Sequence, residues 1–146
     1  MRLTQHLKDP QLWVAMALAP LFWLVLWQLG YAHFELADKN PWRLFLPALI
    51  YPVLEEMVFR GLIQQELYRS SWGKRRAFFL SNANIAGSLM FALSHLIYHP
   101  PMRALCVFFP SLIFGYFRDR YGSLAPSIAL HILYNSGYLL LFSGCC

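Results

Sequence analysis

The chain has 146 residues, of which 58% are hydrophobic, 17% aromatic and only 13% charged, with a mean hydropathy of +0.44. Soluble domains carry about a quarter charged residues, so the composition excludes an ordinary water-soluble globule and points to a single integral-membrane domain over residues 1–146. The net charge of +5 gathers in particular loops and not on one solvated face, which speaks against a nucleic-acid partner and for a lipid bilayer.

In chain order, five apolar runs read as the helices of an all-α, polytopic membrane bundle, because about 20 apolar residues cross the hydrocarbon core. The first, 11–30 (QLWVAMALAPLFWLVLWQLG), is too long for a signal-peptide core and lacks a small-x-small cleavage site behind it, so it is expected to be retained. The others cover 43–66, 77–98, 102–117 and 123–143. GYAHFELADKNP (30–41), SSWGKRR (70–76), YHPP (98–101) and RDRYGS (118–123) supply the Gly, Pro and charge expected of the intervening loops. Pro52 and Pro126 mark positions where a membrane helix kinks or restarts.

Loop charges predict orientation. With the N-terminus in the cytoplasm, Arg2, Lys8, Arg69, Lys74, Arg75, Arg76, Arg118 and Arg120 lie on the cytoplasmic side, and Lys39, Arg43 and Arg103 on the other. That asymmetry favours a cytoplasmic N-terminus and an external C-terminus in a bacterial inner membrane. Cys106, Cys145 and Cys146 form neither a metal spacing nor a disulfide framework. Cys106 reads as a small buried or lipid-facing hydrophobe. The terminal pair is not a prenylation box, since Ser143 stands fourth from the end.

Three of the runs contain side chains that lipid does not tolerate unless a protein interior receives them. The second holds Glu55, Glu56 and Arg60 in YPVLEEMVFRG; the third holds Ser94 and His95; the fifth holds His131 and Asn135. Glu56 and Arg60 are four apart and can pair on one helix face, acid before base. Glu55 is then rotated away by about 100 degrees. Phe91 with His95, and His131 with Asn135, have the same i, i+4 relation. At ~1.5 Å rise per residue, all these groups can share one depth between the midplane and the outer leaflet. His6, His33 and His99 fall in loops or near interfaces and receive no role.

A carboxylate in a dry pocket, beside a neighbour already engaged by Arg60, suits a general base that takes a proton from attacking water. A histidine opposite can orient that water or shuttle the proton. An imidazole and an amide one turn apart can donate hydrogen bonds to a developing oxyanion. Ser94 and His95 do not form a nucleophile and base, because helix neighbours point about 100 degrees apart. Competing readings stand beside this one. Glu55, His95 and His131 could ligate zinc, with water in the fourth position. Glu56 with Arg60 could be a structural ion pair, His131 with Asn135 interhelical glue, and the whole set a proton relay in a small channel or carrier.

The ordered triple EExxxR (Glu55 to Arg60), FxxxH (Phe91 to His95) and HxxxN (His131 to Asn135), with LEEMVFRGLIQ, LMFALSHL and GSLAPSIALHILYN around it, resembles the three motifs of the CPBP family. These are the CAAX-prenyl-endopeptidase and bacteriocin-processing (Abi) intramembrane proteases. The likeness covers about residues 51–138. It implies a glutamic-type endopeptidase in which Glu55 activates water, His95 assists, His131 and Asn135 hold the oxyanion, and Glu56 and Arg60 support them, with no cofactor. The implied substrate is a membrane-anchored or lipidated protein or peptide, and the small size resembles bacterial members that trim C-terminal anchors in protein sorting. Zinc-dependent catalysis, and non-catalytic binding of the bacteriocin-immunity kind, remain the alternatives that the family admits.

Overall fold

The structure, a computed structural model, describes residues 8–28 and 45–142. His6, His33, Lys39, Arg43, Cys145 and Cys146 lie outside them, as do Arg2 and the loop 30–41. The fold is all-α apart from one small hairpin. In order it comprises α1 (Pro10–Gln28), the π-helical stretch π1 (Leu46–Ile50), α2 (Tyr51–Glu56), a second π-helical stretch π2 (Met57–Gln64), α3 (Gln65–Arg69), α4 (Ser71–Lys74), β1 (Arg76–Ala77), β2 (Leu80–Ser81), α5 (Asn82–His95), α6 (Pro101–Cys106), α7 (Phe108–Tyr121) and α8 (Ala125–Phe142).

The contacts divide the chain into two compact units, Glu55–Ile128 and a second made of Met1–Leu54 with Ala129–Cys146. In the second, α1 buries the small stripe Leu12, Ala15 and Ala19 and exposes Trp13, Val14, Leu18, Leu21 and Phe22. Tyr134 of α8 donates a hydrogen bond to the Ala15 carbonyl at 2.9 Å.

Among the described residues no helix is both long and apolar enough to cross a membrane. Three of the runs expected as spans are interrupted by local chemistry. The second is helical from Leu46 to Arg69 but changes pitch twice, at π1 and π2. The third does not start at residue 77. Arg76–Ala77 and Leu80–Ser81 pair antiparallel, Arg76 with Ser81 and Ala77 with Leu80, around a Phe78–Phe79 tip whose Phe78 adopts φ 56°. A residue with a β-carbon gives up about 1–2 kcal/mol in that left-handed region. Helix α5 begins only after Ser81, whose Oγ accepts from the Asn84 N–H at 3.0 Å as an N-cap. The fourth run breaks at Val107 into α6 and α7. Residues 118–121, expected as loop, continue α7 until Gly122 ends it in the left-handed conformation, φ 63°. Helices α5 and α7 have 14 residues each, about 21 Å at the α-helical rise. Cys106 is exposed.

Three elements form the interior of the Glu55–Ile128 unit: π2, α5 and α7. Their directions follow from matched contacts. A β-carbon on Gly87 would stand 3.5 Å from the Gln64 Cβ, and Phe91, one turn later, packs edge-to-face on Phe59 at 5.1 Å, so π2 and α5 are antiparallel. Arg60 meets Ser111 and Gln64 meets Gly115 and Asp119, so π2 and α7 run parallel. Gly115 permits the close approach of all three, because a methyl group there would lie 2.0 Å from Asn84 Oδ1 and 2.8 Å from Gln64 Oε1.

Candidate active site

The interior that these helices enclose is polar. Glu56, Arg60, Ser81, Asn84, Ser88 and Ser111 are wholly buried, and Gln64 nearly so. Arg60 and Glu56 form an ion pair, Nε to Oε2 3.5 Å, with neither side chain exposed. The guanidinium is held from α7 as well: Nη2 donates to the Ser111 carbonyl at 2.8 Å and to its hydroxyl at 2.7 Å. Its flat faces lie 5.0 Å from the Phe91 ring centre and 5.9 Å from that of Phe114, a cation–π setting that favours arginine over lysine. A buried charge pair is retained only where such additional partners offset desolvation.

One turn on, Gln64 Nε2 donates to the Gly115 carbonyl at 2.9 Å and to Asp119 Oδ1 at 2.7 Å. Ser81 Oγ donates to Asp119 Oδ2, so the same hydroxyl caps α5 and ties it to α7. Asn84 Nδ2 donates to the Leu112 carbonyl and its Oδ1 accepts from Ser88 Oγ, both at 3.0 Å. This network fixes the separation and register of the helices that carry the acidic and histidine motifs.

Glu55 stands apart from its neighbour: it is half-buried where Glu56 is wholly enclosed. The antiparallel register from Gly87–Gln64 through Phe91–Phe59, continued one turn, sets His95 at the level of Glu55 and Glu56. His95 is half-buried, with its ring 4.5 Å from Phe91. Nδ1 lies 2.9 Å from the Phe91 carbonyl. A carbonyl can only accept, so Nδ1 carries the hydrogen and Nε2 of the neutral ring presents a lone pair.

His131 and Asn135 belong to the other unit and lie one turn apart on α8. His131 is buried. Asn135 is half-buried and donates from Nδ2 to the Pro47 carbonyl in π1 at 3.2 Å. Among the described residues no group of three His, Cys, Asp or Glu side chains gathers to hold a metal ion.

Sequence reasoning passes over four residues that the structure brings to the site. Ser111, Gln64 and Asp119 hold the interior together, and no motif announces them; their partners lie dozens of residues away in the chain. His99 stacks on His95 with ring centres 5.7 Å apart. Its i, i+4 spacing from His95 is the signal that was available.

Comparison with known proteins agrees with the motif order. The chain is 35% identical over 108 residues to the "Membrane-embedded CAAX protease MroQ" of Staphylococcus aureus (strain USA300), a match covering 73% of this chain and 41% of that protein. The chain thus spans about two-fifths of the length of the curated relative it matches. No solved structure matches it. The family model described as "Type II CAAX prenyl endopeptidase Rce1-like" matches residues 37–137, which include every residue of the three motifs, and on that match the chain belongs to the Rce1-like type II CAAX prenyl endopeptidase family.

Proposed function

We propose that this protein is a membrane-embedded endopeptidase that hydrolyses a peptide bond in a membrane-anchored or lipidated protein or peptide, using water activated by Glu55. The observation that carries the reading is the division of labour between adjacent carboxylates: Glu56 is sealed against Arg60, while Glu55, next to it and level with His95, is partly open. In the reaction Glu55 takes a proton as the water oxygen bonds to the substrate carbonyl carbon. The C–N bond then breaks, and the proton passes to the leaving amine, with His95 Nε2 as relay. His131 and Asn135 are assigned to the oxyanion by the motif order. Glu56, Arg60 and Ser111 hold the helix that presents Glu55.

A membrane setting is supported by the charged groups inside, and the apolar side chains outside, the Glu55–Ile128 unit. Its interior holds a carboxylate, a guanidinium and several amides and hydroxyls, while Leu62 is 67% exposed and Ile97 72%. Exposed apolar surface of that extent needs a cover, and lipid is the cover that also makes a polar interior favourable. The short helices α5 and α7 then lie within the bilayer, and an N-terminus in the cytoplasm of a bacterial inner membrane agrees with the loop charges. No cofactor is assigned.

The test is cleavage of membrane-anchored substrates by the purified, detergent-solubilised protein, comparing the wild type with Glu55→Gln, each with and without a strong chelator. Activity that needs Glu55 and ignores the chelator supports the reading. Activity abolished by chelator and restored by zinc replaces it with metal-assisted hydrolysis, and cleavage that survives Glu55→Gln removes Glu55 from the mechanism.

A further inference from the structure

The peptidase reading leaves the β1–β2 hairpin without a task. Its tip is unusual on two independent counts. Phe78 is 97% exposed, so its ring packs against nothing among the described residues, yet its backbone sits at φ 56°, a conformation that glycine or asparagine would adopt with less strain. Phe79 beside it is 66% exposed and Trp72, on α4 before the hairpin, 49%. A strained, bare phenylalanine at a turn has no explanation inside the fold.

The tip is also ringed by bases. Lys74, Arg75 and Arg76 are all exposed. Phe79 packs edge-to-face on Tyr116 at 5.9 Å, and Tyr116 accepts from Arg120 at 3.4 Å, which brings a fourth base to the same patch. The acids nearby do not neutralise it: Glu66 is paired with Arg69 at 2.6 Å, and the single charge of Asp119, held by Gln64 and Ser81, is outnumbered by the four bases. The mount is firm. Asn82 N–H donates to the Arg75 carbonyl at 2.9 Å, Asn82 Nδ2 to the Trp72 carbonyl at 3.1 Å, and Arg76 to the Phe79 carbonyl at 3.3 Å.

We propose that this hairpin is a docking surface for anionic lipid headgroups, with Phe78 and Phe79 entering the interfacial layer and Lys74, Arg75, Arg76 and Arg120 meeting the phosphates. Aromatic side chains ringed by bases are the chemistry that favours such a surface. A peptide partner fits less well, since strands of two residues offer almost no edge to extend. The inference needs a bilayer but not peptidase chemistry, so failed proteolysis leaves it standing.

The experiment uses the full chain carrying Cys106→Ser, Cys145→Ser, Cys146→Ser and Phe78→Cys, with a nitroxide on residue 78. It is reconstituted in phosphatidylcholine vesicles with or without phosphatidylglycerol, and collisions of the label with oxygen and with a water-soluble nickel chelate are compared. The label is expected to become shielded from the chelate only when phosphatidylglycerol is present. Each of Lys74→Gln, Arg75→Gln and Arg76→Gln should shift the shielded population back by about fivefold, the weight of one base near an anionic surface. Equal exposure in both vesicles, equal shielding in both, or shielding only after another protein is added would each overturn the proposal. Should the labelled chain fail to fold, Phe78→Gly decides. Its thermal midpoint in detergent should hold or rise as the strain is relieved, while the rise that phosphatidylglycerol gives the wild type is lost; a full rise in Phe78→Gly overturns the proposal too.

Discussion

The polar interior around Arg60 and the polar turn of α8 hold their groups by different means. Around Arg60, side chains from π2, α5 and α7 bind one another and the α7 backbone, so that Ser111, Gln64, Asp119, Ser81 and Asn84 act as one assembly. On α8, Asn135 and Tyr134 each reach a backbone carbonyl, of Pro47 and Ala15 respectively. The interior is built as a scaffold, whose members support one another. The α8 turn instead ties Asn135 and Tyr134 to main-chain oxygens of π1 and α1. Loss of a scaffold member should therefore register in stability, and loss of an α8 group in turnover.

The largest effect expected crosses that line deliberately. Glu55→Gln, at the edge of the scaffold, should lower turnover by about 10²–10⁴-fold, the usual weight of a general base, while the thermal midpoint in detergent falls far less than on loss of Arg60. A large fall in midpoint would make Glu55 a scaffold residue after all. Next, Arg60→Met strands Glu56 in the interior and should cost about 3–5 kcal/mol of stability, read by denaturant or thermal unfolding; a neutral result would dissolve the distinction between the two regions. Asn135→Ala should lower turnover by roughly 10²–10³-fold, as loss of an oxyanion donor does, with little change in unfolding. Ser111→Ala removes one of the two acceptors for Arg60 Nη2 and should cost about 1–3 kcal/mol, accompanied by faster amide exchange along π2. If Ser111→Ala changes turnover alone, Ser111 belongs with the chemistry and not with the frame.

Much of the scaffold's centre is legible in the chain. Glu56 and Arg60 declare their pairing by spacing, because it rests on local helix geometry. The ends of α1 and α8 also lie close to the ends of their apolar runs. What the chain hides is set by contacts between distant segments. Ser111 sits in FFPSLIFGY as one small residue among apolar ones, and only the parallel approach of π2 and α7 turns it into a ligand for Arg60. The start of α5 is hidden for a different reason. Ala77–Leu80 reads as the first turn of an apolar helix, whereas Ser81, capping α5 and binding Asp119 at once, delays the helix and leaves the preceding residues to form a hairpin. The π-helical pitch of Met57–Gln64 has no signal in residue type, and hydropathy does not register it.

The close approach at Gly115 has a consequence for how such a chain can drift. Arg60, Gln64 and Asn84 each donate to a main-chain oxygen of α7, those of Ser111, Gly115 and Leu112. Main-chain oxygens belong to the helix whatever its side chains are. The residues along α7 other than Ser111 and Asp119, whose side chains also bind, can thus exchange widely and still present the same three acceptors, provided the helix stays near, which the missing β-carbon of Gly115 permits. Much of this interior is therefore insensitive to spelling, while a single added carbon atom at Gly115 would push the side-chain ends of Asn84 and Gln64 out of their bonds.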